Sequence, residues 1–268
     1  MRIELNGRTI ETECKSLYEL RDKFAAGRDG VTVLNGFACG SDELLHDGDT
    51  VTLCPKGECP PYDALEAMIG ARLTPGIYDR LRRARVAVAG LGGLGSAIAE
   101  ALARSGVGHL HLVDFDTVDA TNLNRQRYRI SHIGMTKPEA TAMQIAEYNP
   151  FVKTLPETVK VTAENAAEIF AGDGIICEAF DIPEAKAELV NALLENCPEK
   201  TVVASSGMAG LDSPNLIRTR RVAKNFYICG DGVSQAGFGC GLMAPRVDVC
   251  AGHQATTVLR LITGSEEP

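Results

Sequence analysis

The first seven residues, MRIELNG, alternate apolar and polar side chains with the period of a half-buried strand, and Asn6-Gly7 is a strong hairpin signal. A second strand is expected over residues 10–14. SLYELRDKF (16–24) then changes period, placing Leu17, Leu20 and Phe24 on one helical face. VTVLNG (31–36) and TVTLCP (50–55) return to strand character, with Asp47-Gly48-Asp49 as the turn before the second. The order strand, strand, helix, strand, strand predicts a small β-grasp unit over residues 1–60.

Pro60 and Pro61 mark a break, and residues 61–83 read as a linker and helical segment carrying Arg72, Arg80, Arg82 and Arg83. From residue 84 to 268 the pattern changes again. Apolar runs at 86–89, 110–113, 159–162, 174–181 and 201–205 alternate with helical stretches at 96–103, near Pro138 to Asn149, 166–170 and 183–196. Gly106 is placed as a helix C-cap, Pro183 suits a first helical turn, and CAGHQATTVLRLITG (250–264) reads as a closing helix. Strands alternating with helices predict a doubly wound, Rossmann-like, mainly parallel α/β sheet.

Composition narrows the function classes. The chain has 268 residues, 45% of them hydrophobic, which is enough for a core in each unit. No apolar run approaches the roughly 20 residues that span a bilayer, and the charged, alternating start does not resemble a signal peptide. A net charge of −8 opposes nonspecific nucleic-acid binding. The nine cysteines are odd in number and show no C-x-x-C spacing, so reduced thiols in a cytoplasmic protein are expected and no zinc site is predicted.

The chemistry centres on VAVAGLGGLG (86–95). Gly90, Gly92 and Gly95, with Gly93 between them, form G-x-G-x-x-G where a strand gives way to a helix. Such glycines let phosphates approach the N–H groups at a helix N-terminus. Asp114 and Asp116 end the next strand, where an acidic residue binds ribose hydroxyls in such folds. Asn122, Arg125 and Lys137 follow in the polar loop and next helix, and Asp181 follows a later strand. Two cations and a carboxylate around a nucleotide suit attack at a phosphate better than hydride transfer. A nicotinamide-dependent oxidoreductase uses the same loop, but no acid or base marks a hydride-acceptor pocket here.

At these residues the chain resembles the ThiF/MoeB/HesA family of ubiquitin-activating-enzyme-like adenylyltransferases. The resemblance rests on GLGGLGS, LVDFDTVDATNLNRQ, the lysine of MTKP and ICEAFD, and covers about residues 72–264. It implies ATP and Mg²⁺ as cofactors and a homodimer. The implied activity is adenylation of the C-terminal glycine of a ubiquitin-like carrier, with release of pyrophosphate. It also implies site roles: Asp114 binds ribose, Arg125 and Lys137 hold phosphates, Asp181 holds Mg²⁺, and Asn122 helps with phosphate or metal. Arg72 matches an arginine that reaches a neighbouring subunit's ATP. The family's D-C-T-D-N becomes E-A-F-D-I, keeping only Asp181, and its paired C-x-x-C motifs are missing. Where family members carry a working cysteine it falls in the later loop; Cys229, Cys240 and Cys250 lie in that half and read as small buried hydrophobes.

VLNG and DGDTVTL give the first unit a resemblance to the sulfur-carrier protein ThiS. Its end, CPKGECPP, lacks the Gly-Gly tail of a carrier. The unit is therefore read as a structural or regulatory appendage. Together the two resemblances imply a separate Gly-Gly carrier of the ThiS type as partner, in thiamine (thiazole) biosynthesis. The alternatives are the molybdopterin branch, a tRNA dehydratase, or a non-catalytic carrier-binding module.

Overall fold

The computed structural model describes residues 1–25, 30–57, 59–60, 62–70, 73 and 76–267. The chain divides into two compact units, Met1–Asp79 and Arg80–Pro268.

The first unit is a five-stranded sheet with one helix across it. Its strands β1 (Arg2–Leu5), β2 (Arg8–Glu11), β3 (Gly30–Leu34), β4 (Phe37–Cys39) and β5 (Thr50–Pro55) run in the order β2-β1-β5-β3-β4. Only β1 and β5 pair in parallel. Helix α1 (Leu17–Ala25) buries Leu17 and Leu20 against Ile3, Leu5, Val51 and Leu53. Asn6-Gly7 and Asn35-Gly36 both adopt positive φ, the backbone of a two-residue type I′ hairpin. The first turn starts β2 at Arg8, earlier than expected. The second creates β4, a strand not expected, because the Asn-Gly of VLNG is a hairpin turn and not a strand end. Val33 and Thr52 point away from the α1 core yet are only 2% and 3% exposed. The expected helical segment is two helices, α2 (Tyr62–Gly70), which packs against β5, and α3 (Ile77–Arg83), with Gly76 in left-handed backbone before the second. The division between the units falls within α3. Arg72 lies outside the described residues.

The second unit is a seven-stranded sheet. Its strands are β6 (Arg85–Ala89), β7 (His109–Val113), β8 (Lys153–Glu157), β9 (Ile175–Glu178), β10 (Thr201–Ser205), β11 (Arg218–Ala223) and β12 (Phe226–Gly230). They run in the order β11-β12-β10-β9-β6-β7-β8, all parallel except β11. Helices α6 (Ala166–Ile169) and α7 (Pro183–Asn196) cover one face, over a core that includes Ala87, Val113, Phe170 and Ile176. Helices α4 (Gly93–Arg104), α5 (Lys137–Tyr148) and α8 (Ala244–Ile262) lie together on the other. The α4 helix ends as expected at Gly106, where Val107 N–H reaches Leu102 O and Gly106 N–H reaches Ala103 O.

Three expectations change. The strand expected at 159–162 lies instead at β8, which includes Pro156 and runs along the sheet edge, where a missing N–H is tolerated. The charged run Arg218–Ala223 and the following Phe226–Gly230 form a strand pair at the opposite edge. The closing helix begins at Ala244, not Cys250, with a proline in its first turn.

Candidate active site

Strand order reverses on either side of β6: β7 and β8 continue one way, β9 and β10 the other. Loops leaving the carboxyl ends of these strands therefore diverge, and a cleft of about 900 Å³ opens between them. Gly90, Gly92, Gly93, Asp114, Asp116, Arg125, Lys137 and Asp181 all line it.

The three motif glycines are needed for three different reasons. Gly90 has φ 87°, and a Cβ there would stand 2.9 Å from Ala179 O. At Gly95 a Cβ would stand 1.7 Å from Gly90 O, so α4 packs onto the loop only because that residue has no side chain, and Gly95 itself lies behind the cleft wall. Gly92 combines φ −72° with ψ −148°, a pairing outside the ordinary L-residue regions, and among the described residues only Gln126 Nε2, at 3.9 Å, comes near its missing Cβ. No side chain among the described residues caps Gly92, so the leading N–H groups of α4 are available at the cleft.

Asp114 is fixed rigidly. Leu91 N–H donates to its Oδ2 at 2.6 Å and Asp116 N–H to its Oδ1 at 2.9 Å. Burial pushes its carboxyl above the usual range, against the opposing pull of these N–H groups and of Lys137. Lys137 opens α5 with its side chain only 8% exposed, and its ammonium is 2.8 Å from Asp116 and 3.9 Å from Asp114. Arg125 is held by Thr121 O at 3.3 Å and Asn124 Oδ1 at 2.9 Å. Asn122 is not among the lining residues. Its Oδ1 accepts from Asp119 N–H at 2.9 Å and its carbonyl accepts from the N–H groups of Arg125 and Gln126, so it closes the turn that presents both.

The opposite wall was less visible in the sequence. Strand β9 ends at Glu178, fully buried, and exposed Asp181 follows on the loop. Lys186, from α7, bonds Glu178 Oε1 at 2.8 Å, Phe180 O at 2.6 Å and Ser205 Oγ at 3.0 Å. That clamp fixes the backbone from which Asp181 projects. Further along, buried Arg246 bonds Asp231 Oδ2 at 2.6 Å and also Ala209 O, tying together two loops that line the cleft. Burial pushes the Asp231 carboxyl up, but the hydroxyl and N–H of Ser234, the N–H of Val233 and the Arg246 guanidinium outweigh it and hold the group well below the usual range. Sequence reasoning missed Gln126, Lys160 and Lys186, and the loop that carries Ala209; the glycine-rich stretch 228–247 reads from sequence as a wall opposite the glycine loop, and Gly232, Val233 and Ser234 do line the cleft. A lysine on a helix carries no signal separating a clamp from a solvated side chain.

Asp181 is one carboxylate, and among the described residues no group of three or more His, Cys, Asp or Glu could hold a metal by itself. A single carboxylate fits Mg²⁺ carried by a nucleotide, since that ion takes one or two carboxylates plus substrate phosphates. Cys229 and Cys250 are buried, and burial pushes both thiols up, Cys250 to about 12. Cys240 is half-buried.

Fold and cleft together define a protein of the doubly wound α/β class with a glycine-loop cleft at its strand-order reversal. More narrowly, the chain belongs to the ThiF family, whose description matches residues 65–268, and a ThiS-like ubiquitin match covers residues 1–57. It is 30% identical over 196 residues to the molybdopterin-synthase adenylyltransferase of Salmonella typhimurium, covering 71% of this chain and 77% of that protein. It is 29% identical over 195 residues to the adenylyltransferase and sulfurtransferase UBA4 of Yarrowia lipolytica, covering 69% and 47%. The chain thus spans about half the length of that relative. The E. coli tRNA N6-threonylcarbamoyladenosine dehydratase in complex with ATP shares the fold, with TM-score 0.67 and 23% identity over 74% of this chain and 93% of that one. Among the described residues no helix is long and apolar enough to cross a membrane.

Proposed function

We propose that this chain is an adenylyltransferase acting on the C-terminal glycine of a separate ThiS-type sulfur carrier that ends in Gly-Gly. The observation that carries the proposal is the convergence of the uncapped α4 terminus, Arg125, Lys137 and Asp181 on one cleft at the strand-order reversal. ATP is the substrate that fits there. Each Asp114 oxygen accepts one main-chain N–H and keeps a lone pair for a ribose hydroxyl.

A carrier carboxylate attacks the α-phosphorus, an oxygen–phosphorus bond forms, and the α–β bridge breaks to release pyrophosphate. The nucleophile is already ionised at neutral pH, so the chemistry asks for position and charge stabilisation, not for a base. Arg125 and Lys137 stabilise the charge spreading over the phosphates. Asp181 would hold Mg²⁺ together with the nucleotide, and the ion would supply neutralisation of the leaving pyrophosphate.

Membership of the ThiF family and the ThiS-like first unit support this reading, and the same unit favours the thiamine branch as the pathway. A cytoplasmic homodimer completes the proposal, with Arg72 reaching the neighbouring subunit's nucleotide.

Exchange of labelled pyrophosphate into ATP, dependent on a Gly-Gly carrier, tests the reaction. Arg125→Ala and Asp181→Ala should each abolish exchange while leaving the melting temperature within a few degrees. Exchange supported by tRNA in place of the carrier would move the acceptor, and preference for NAD without exchange would overturn the proposal.

A further inference from the structure

Resting on the adenylation reading, we infer that Arg246 is a positioning residue for the acceptor: with Asp231 it holds in place the two loops against which the carrier tail lies. The nucleotide residues claim only part of the cleft. Asp114 follows β7, the glycine loop follows β6 and Asp181 follows β9, whereas residues 206–209 and 232–236 line the cleft beyond β10 and β12. No lining residue from these two loops is charged, in contrast to the Arg, Lys and Asp side chains around the glycine loop. Walls of small, neutral residues suit an uncharged extended peptide such as a Gly-Gly tail, and they offer no cation to a nucleic-acid backbone.

The fork of Arg246 joins those loops. Its Nη2 donates to Asp231 Oδ2 at 2.6 Å, and its Nη1 donates to Ala209 O and, at 3.1 Å, to Ser234 Oγ. Ser234 Oγ also accepts from Ala209 N–H at 3.0 Å, and Asp231 Oδ1 accepts from the N–H groups of Val233 and Ser234, each at 2.8 Å. Gly207 makes room for this arrangement, since a Cβ there would stand 2.0 Å from Asp231 Oδ1.

Stability alone does not account for the pair. The two side chains are only 5% and 3% exposed, and Arg246 Nε is a buried donor with no partner among the described residues. An apolar pair of similar volume is often as stable or more so. What an apolar pair lacks is direction: a planar fork bonded to both loops fixes their spacing.

The test follows pyrophosphate exchange by the full chain against the concentration of a purified ThiS-type carrier ending in Gly-Gly, beside calorimetric ATP binding and melting. Arg246→Met/Asp231→Asn removes both charges, keeps Oδ1 for Val233 and Ser234, and should melt within a few degrees of the unaltered chain. With the loops correctly placed about a tenth of the time, the carrier concentration for half-maximal exchange rises about tenfold. ATP affinity should not change, and the rate at saturating carrier should stay within about twofold. Arg246→Lys keeps a charge beside Asp231 but loses the fork, so it should show the same split in smaller measure. If the double variant does not fold, the lysine variant decides. Unchanged half-saturation by carrier in the folded variant overturns the inference, as does an equal loss for ATP and carrier, which marks general loosening. If the unaltered chain supports no exchange, the adenylation reading fails and takes the inference with it. Exchange by the unaltered chain that the variants match at every carrier concentration sinks the inference alone.

Discussion

Lys186 and Glu178 show how much of the cleft depends on buried charge. Glu178 is fully buried and its carboxylate is met by Lys186 at 2.8 Å. Removing the lysine alone strands a charge in the interior, a loss of about 3–5 kcal/mol, whereas removing both charges together is far milder. Chemical denaturation should therefore rank Lys186→Met well below the double variant Lys186→Met/Glu178→Gln. Equal stability of the two would mean that the pair is not a clamp. A second buried cluster lies away from the cleft: His111 Nδ1 meets Asp173 at 2.7 Å, Nε2 meets Glu157 at 2.9 Å, and Arg85 also bonds Asp173 at 2.7 Å. Burial lowers the affinity of this histidine for its proton, but the two carboxylates outweigh it and raise the pKa above 6.5. Its contribution is thus complete below pH 6.5 and fades as pH rises through the folded value. Asp173 behaves oppositely: His111 and Arg85 overcome burial and hold it below 3.8, so its share is complete above that value and fades on acidification. Urea midpoints should fall as pH rises above 6.5, and His111→Gln should flatten that fall. An unchanged slope would show that the ring does not titrate there.

At the scale of elements, the glycine loop separates folding from binding. Gly95→Ala drives a methyl into Gly90 O, backbone against backbone, so α4 must shift; a loss of about 1–3 kcal/mol or more is expected. Gly92→Ala meets no crowding atom but must hold ψ −148°, so it should lose less stability than Gly95→Ala while losing ATP binding. Reversal of that pattern would remove the loop from the nucleotide site. Legibility followed locality. The motif glycines, Asp114, Arg125 and Lys137 fall within 48 residues of one another, and their spacing is written into one βαβ passage. Lys186 and Arg246 act by bridging segments distant in sequence, which periodicity cannot report. The misplaced strands share one cause: β8 contains a proline and β11 is a charged edge, whereas the β-branched VKVT that looked like a strand packs its valines beside the cleft.

For the molecule as a whole, both architectures were readable, because a hairpin–helix–hairpin order and a βα alternation each admit few arrangements. The boundary between them is subtler. The ThiS-like match stops at residue 57 and the ThiF match begins at 65, inside α2, while that helix falls within the compact unit Met1–Asp79 and packs against β5. A fragment excised at residue 57 would keep all five strands and α1 but lose the packing of α2 on β5. It should bind a hydrophobic dye and self-associate in light scattering, whereas a fragment of residues 1–79 should remain monodisperse. Where a family resemblance ends and where a piece of this chain can live alone are, on that account, different places.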